Sequence, residues 1–108
     1  MASLSTHILD TSLGRPAVGV RVTLESDAGV TIGEGATDAD GRLLAIGPGS
    51  LGTGDYRLRF DSASYYAQTG VTGFYPEVVV AFTVSSADEH YHVPLLLTPH
   101  GYSTYRGS

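Results

Sequence analysis

The sequence predicts an all-β sandwich formed as one domain over residues 1–108. Three observations carry this: no long interval shows helical periodicity, runs alternating apolar with polar residues recur along the chain, and Gly, Pro, Asp and Ser clusters punctuate those runs. Period-two alternation turns one face of a strand to a core and the other away from it. A chain of 108 residues is long enough for one core and too short for two.

Eight strands and one short helix are expected, in the following order. The first strand, 4–10, sets Leu4, Thr6 and Ile8 on one face and Ser5, His7 and Leu9 on the other. The second, 18–25, opposes Val18, Val20, Val22 and Leu24 to Arg21, Thr23 and Glu25. Ser-Asp-Ala-Gly at 26–29 turns the chain into a third strand, 30–37. Asp-Ala-Asp-Gly at 38–41, where Gly41 permits a positive φ, turns it again into a short strand at 42–46, so Arg42 begins a strand beside a tight turn. Residues 47–54 hold too many glycines for regular structure and read as a surface loop. Tyr56, Leu58 and Phe60 then alternate with Arg57, Arg59 and Asp61. A helix follows at 62–68, with Asp61 or Ser62 accepting a first-turn N–H and Gly70 stopping it. The β-branched run at 77–84 reads as a strand covered on both faces. The seventh strand, 90–98, turns Tyr91, Val93, Leu95 and Leu97 to the core and His90, His92, Pro94 and Leu96 away from it. Pro94 cannot donate to a ladder, so it requires a bulge or an edge. A turn through Pro99, His100 and Gly101 leads to the last strand, 102–106.

Composition removes several functions. There is no Cys, so disulfides, thiolate metal sites and a cysteine nucleophile are excluded, and a reducing, cytoplasmic setting is expected. No segment approaches the roughly 20 apolar residues of a membrane span, and the first residues lack a basic, apolar leader pattern. The formal net charge is −5, and the six cations, all Arg, are scattered from Arg15 to Arg106. With no basic stripe to follow a phosphate backbone, nucleic acid is excluded as a partner. The chain lacks Lys and Asn, which rules out an isopeptide-locked adhesin.

The chemistry concentrates at the end of the chain. His90-Tyr-His92 projects two imidazoles from one strand face, a spacing that suits a metal or a shared substrate. A metal needs further ligands, for which His7, Glu89 and His100 are candidates, but no second short ligand motif exists. His90 alone reads as a solvated strand-end residue. His7, His92, Ser103 and Tyr105 all lie opposite the core residues of their strands, and they converge on one outer face if those strands are neighbours. No Gly-X-Ser-X-Gly elbow, phosphate loop or third triad carboxylate is present, so covalent catalysis is not indicated. Hydrolysis by activated water needs less: a base with a pKa near the working pH, a cation for the oxyanion, and donors that orient the substrate. His, Arg and Tyr supply these.

Several stretches carry a family resemblance: residues 102–108 (Tyr-Ser-Thr-Tyr-Arg-Gly-Ser), His-Tyr-His-Val-Pro-Leu-Leu from His90, Ser-Thr-His-Ile-Leu-Asp from Ser5, Thr-Asp-Ala-Asp-Gly-Arg from Thr37 and Phe-Tyr-Pro-Glu-Val from Phe74. Over essentially its whole length the chain resembles the transthyretin-related hydroxyisourate hydrolases. The terminal Tyr-Arg-Gly-Ser separates these from the transthyretins, which share the fold but carry hormone. The resemblance implies a transthyretin-like sandwich of two four-stranded sheets with one short helix. It also implies a homotetramer with active sites at the dimer–dimer interface, and hydrolysis of 5-hydroxyisourate to 2-oxo-4-hydroxy-4-carboxy-5-ureidoimidazoline in urate degradation without cofactor or metal. By the same match His7, Arg42, His92 and Tyr105 are catalytic, and His7, Arg42, Ser103, Tyr105 and Arg106 contact substrate. His100 stands where the family more often has an aromatic residue and Thr98 where it has Ser; neither touches the expected chemistry. The alternatives are a transthyretin-like small-ligand carrier without activity, and a zinc-assisted hydrolysis using His90, His92 and His7.

Overall fold

The computed structural model describes residues 2–108. Two sheets face each other across one continuous apolar core. The first is built on β1 (Ser3–Asp10), flanked by the two-residue strands β2 (Arg15–Pro16) and β5 (Arg42–Leu43) and by β8 (His90–Thr98), which carries β9 (Gly101–Thr104) on its other side. The second runs β4 (Thr31–Ala36), β3 (Arg21–Ser26), β6 (Gly54–Phe60), β7 (Val78–Val84). The all-β sandwich with one helix is therefore as expected. The first sheet, however, has five members, two of them very short, in place of four.

Strand parity decides the core. Leu4, Thr6 and Ile8 of β1 and Tyr91, Val93, Leu95 and Leu97 of β8 are buried, facing Val22, Leu24, Leu58, Phe60, Val78, Val80 and Val84 of the second sheet. Thr6 is tolerated there because its hydroxyl donates to the Val93 carbonyl at 2.6 Å. The β1–β8 pairing is parallel and the other pairings are antiparallel.

The helix α1 (Ser62–Thr69) begins where Asp61 accepts the Ser64 N–H at 3.1 Å and ends at Gly70. It docks through Tyr65 and Tyr66. The Tyr65 hydroxyl donates to Asp10 Oδ2 at 2.7 Å, and the other oxygen of this buried carboxylate accepts the Ser12 hydroxyl and the N–H groups of Ser12 and Leu13. Burial alone would push the Asp10 carboxyl up, but these hydrogen bonds together hold it below the usual carboxylate range. Asp10→Ala is expected to cost about 1–3 kcal/mol, since it strands a buried hydroxyl. Because the folded-state value is depressed, Asp10's contribution is present above about pH 4 and is lost as pH falls from there through the folded-state value. Urea unfolding of wild type and variant at pH 7 and at pH 3 checks both the size and the convergence.

Four expectations are corrected. The strand expected at 18–25 starts only at Arg21 and leaves Val18 half exposed. Residues 17–20 are held instead by Thr37, whose hydroxyl donates to the Ala17 carbonyl and accepts the Val20 N–H, taking the place of ladder bonds. Residues 42–46 form a strand only at Arg42–Leu43. The run at 77–84 is not covered on both faces: β7 is an edge strand, and Val79, Ala81 and Thr83 point outward within the chain. The last strand ends at Thr104 rather than at 106. That early end accommodates Pro94. Pairing with β9 stops at Leu95 opposite Thr104 and resumes only with a single bridge between His92 and Gly107, so no N–H is required of Pro94, whose carbonyl takes the Thr104 hydroxyl at 2.7 Å.

Candidate active site

The outward face of β1 and its neighbours carries the candidate residues, and register places them. Across the parallel β1–β8 pair, Ser3 lies opposite His90, Ser5 opposite His92 and His7 opposite Pro94. Across the antiparallel β1–β5 pair, His7 lies opposite Arg42. With neighbouring strands roughly 4.8 Å apart, His7, Arg42 and His92 share one patch of sheet.

The turn at 38–41 positions two of the three. Asp38 Oδ1 accepts the N–H groups of Asp40 at 2.9 Å and Arg42 at 3.0 Å, and Gly41 takes φ +74°. A Cβ at Gly41 would stand 2.5 Å from the Ile8 carbonyl oxygen, so only Gly lets this turn lie against β1. The Arg42 N–H, ahead of the other contacts, holds the Asp38 carboxyl below its usual range. The Asp40 carbonyl, projected by the same turn, lies 2.9 Å from His7 Nε2. A carbonyl only accepts, so Nε2 carries a proton.

His92 is held from two sides. Its Nδ1 is 2.8 Å from the Ser5 hydroxyl, and its carbonyl accepts the Gly107 N–H at 2.8 Å. Gly107 lies against the imidazole itself: a Cβ there would stand 2.5 Å from His92 Cδ2. Nothing among the described residues hydrogen-bonds His92 Nε2. Burial, followed by the positive potential of His7, Arg42 and His90, pulls the His92 pKa below the ordinary histidine value, with a hydrogen bond to the Ser5 backbone opposing. These surroundings favour the neutral ring over the imidazolium.

The remaining candidates are spread more widely. Ser103 pairs with Leu96 and so faces outward, but Leu96 is four residues from His92, about 13 Å along the strand. Tyr105, well exposed, leaves the ladder after Thr104 and lines a groove of about 290 Å³ with His92 and the β7 residues Val80 to Thr83. Arg106 reaches neither imidazole. Its guanidinium donates to Glu89 Oε2 at 2.9 Å and lies 4.6 Å over the Tyr91 ring, on the core side of β8. His100 is an exposed residue at the β8–β9 turn.

One contributor went unnoticed in the sequence, and the seat of a second, within a tail expected near the site, was not readable there. Ser5 was visible only as an outward neighbour of His7; its link to His92 requires the parallel pairing of chain segments more than eighty residues apart. Gly107 stood inside a recognised tetrapeptide, yet its closeness to an imidazole has no local signal. For the zinc alternative, His92 Nδ1 and His90 Nε2 both face the same Ser5 hydroxyl at 2.8 Å, so these two nitrogens do not converge on a vacant point. Among the described residues no three His, Cys, Asp or Glu side chains form a metal-holding cluster.

The architecture is that of the transthyretin-like β sandwiches. Sea bream transthyretin, crystallised in complex with thyroxine, matches it with a TM-score of 0.86 at 32% identity, covering 96% of this chain and 93% of that one. The chain belongs to the HIUase/Transthyretin family, whose profile matches residues 4–107. A 5-hydroxyisourate hydrolase of Salmonella typhimurium is 50% identical over 109 residues, covering 97% of this chain and 80% of that protein. The solved 5-hydroxyisourate hydrolase of Klebsiella pneumoniae has a TM-score of 0.91 at 38% identity, covering 100% of this chain and 94% of that one.

Proposed function

We propose that this protein, a 5-hydroxyisourate hydrolase, uses His92 as general base, Arg42 as the oxyanion partner, and His7 and Tyr105 to hold the substrate. The observation that carries this reading is the juxtaposition of a half-buried His92 with His7 and Arg42 on one sheet face. His92 Nε2 removes a proton from water as its oxygen attacks the ring carbonyl of the lactam. Negative charge gathers on the carbonyl oxygen, where the Arg42 guanidinium offsets it. Collapse of the tetrahedral species breaks the ring C–N bond, and the imidazolium returns its proton to the departing nitrogen, leaving a carboxylic acid that ionises to the carboxylate by releasing its proton to solvent. Ser103 contacts substrate only if a second subunit closes the face. Arg106, committed to Glu89 and Tyr91, anchors the tail that carries Tyr105.

The carrier alternative has the same fold, so the fold does not separate the two. The site does, because two imidazoles and a guanidinium make a poor lining for a small apolar ligand. We further propose one hydrolase domain over residues 1–108, a cytoplasmic setting, which suits a cysteine-free core, and a homotetramer in which two dimers meet at the His7–Arg42–His92 face. Support for the tetramer is the resemblance to the transthyretin-related hydroxyisourate hydrolases. Among the described residues no helix is long and apolar enough to cross a membrane.

The test generates 5-hydroxyisourate in place with urate oxidase and follows its ultraviolet decay. The protein is expected to accelerate that decay, and decay at the spontaneous rate would defeat the assignment. Sedimentation is expected to return about four times the chain mass of 11.3 kDa. Full activity after exhaustive chelation removes the zinc-assisted scheme.

A further inference from the structure

His90, on the sequence a solvated strand end, is bonded at both ring nitrogens: Ser3 Oγ meets its Nδ1, and Ser5 Oγ lies 2.8 Å from its Nε2. The same Ser5 oxygen lies 2.8 Å from His92 Nδ1, and Ser5 is almost wholly buried. The result is an unbroken line, Ser3, His90, Ser5, His92, along the β1–β8 seam. We propose that Ser5 and His90 are positioning residues that decide which nitrogen of His92 carries its proton, and thereby whether His92 can act as a base. This rests on the reading of His92 given above.

The argument is one of hydrogen counting. A serine hydroxyl has a single proton, so between two imidazole nitrogens it donates to one and accepts from the other. In one polarity His92 Nδ1–H donates to Ser5, Ser5 donates to His90 Nε2, and His90 Nδ1–H donates to Ser3. His92 then presents the Nε2 lone pair to the site. In the opposite polarity His90 Nε2–H donates to Ser5, Ser5 donates to His92 Nδ1, and the proton of His92 sits on Nε2, which can no longer take one from water. A protonated His90 donates from both nitrogens and permits only the second polarity. His90 thus gates the base without touching substrate. The other charged or titratable groups around His92 are His7 on β1, Arg42 on β5, and Tyr105 and Arg106 on the tail, with Arg106 engaged by Glu89. None of them bonds His92 Nδ1.

The test compares Ser5→Ala, Ser5→Thr, His90→Ala and His90→Gln with wild type, in kcat and KM across pH and in the tautomer of His92 read from long-range ¹H–¹⁵N couplings. Ser5→Ala and His90→Ala are expected to lose roughly 10- to 100-fold in kcat, the size of effect that hydrogen-bond partners of a working imidazole carry, with KM unchanged. Their His92 should populate both tautomers. His90→Gln supplies an acceptor in place of Nε2 and cannot protonate. It is expected to keep the wild-type kcat at neutral pH, and Ser5→Thr should restore what Ser5→Ala loses. If the buried Ser5 variants fail to fold, the exposed His90 pair decides. Unchanged kcat in His90→Ala, equal impairment of His90→Gln and His90→Ala, or a loss confined to KM would overturn the proposal. A fully active His92→Ala would instead remove the base on which it stands, and is a separate failure.

Discussion

His92→Ala is expected to lower kcat by on the order of 10²-fold or more at neutral pH, the contribution of a positioned general base. The fold should survive, because the ring lies on the outward face of β8 and contributes nothing to the apolar core. His7→Ala should also lose activity, since it removes an imidazole from the patch shared with Arg42 and His92. Wild-type turnover in His92→Ala would sink the scheme. The pH sign follows from the surroundings of His92. Burial and then the positive neighbours His7, Arg42 and His90 depress its pKa, so NMR titration should find it protonating below the ordinary value of about 6.5. Arg42→Gln removes one of those charges and should raise that value, while also costing turnover through the unsupported oxyanion. A titration of His92 at or above 6.5 in wild type would contradict the electrostatic account.

Deleting residues 105–108 is expected to abolish turnover while leaving the sandwich folded. The tail supplies Tyr105 to the groove, clamps itself through Arg106 on Glu89 and Tyr91, and closes on His92 through the Gly107 N–H. No core residue lies beyond Leu97, so the far-ultraviolet spectrum should change little. Gly107→Val isolates one of these parts. Its Cβ would begin 2.5 Å from His92 Cδ2, so either the imidazole turns or the tail lifts, and either movement displaces the base. A loss of about 10²-fold is expected, because misplacing a catalytic group by about an ångström carries that effect. If the truncated protein and Gly107→Val both turn over at the wild-type rate, the tail has no part in the site.

Several features were legible because their physics is local. The pleat alternates side chains with period two, so Leu4, Thr6 and Ile8, and separately Tyr91, Val93, Leu95 and Leu97, could be assigned to the core from spacing alone. The helix ends were readable because Asp61 and Gly70 act within one turn of where they stand. The turn before Arg42 was readable for the same reason. Where reading failed, the deciding partner was distant. The β-branched run of β7 has the composition of a covered strand, yet its position at the sheet edge leaves half of it uncovered within the chain. Val18 continues a valid alternation, yet Thr37, seventeen residues from Val20, takes the backbone bonds at 17–20.

The candidate face divides in the same way. By itself the sequence determined that His7, His92 and Ser103 leave the core, because parity is a property of each strand and needs no partner. The tertiary structure alone decided which of them meet, because register is a relation between strands whose residues are far apart in the chain. The parallel β1–β8 pairing puts Ser5 against His92, and the antiparallel β8–β9 pairing sets Ser103 opposite Leu96, four residues up the strand from His92. The ion pair with Glu89 draws Arg106 to the far side of β8, and the return of the tail seats Gly107 on the imidazole. These outcomes depend on long-range contacts that only the closed sandwich creates, and no local pattern encodes them.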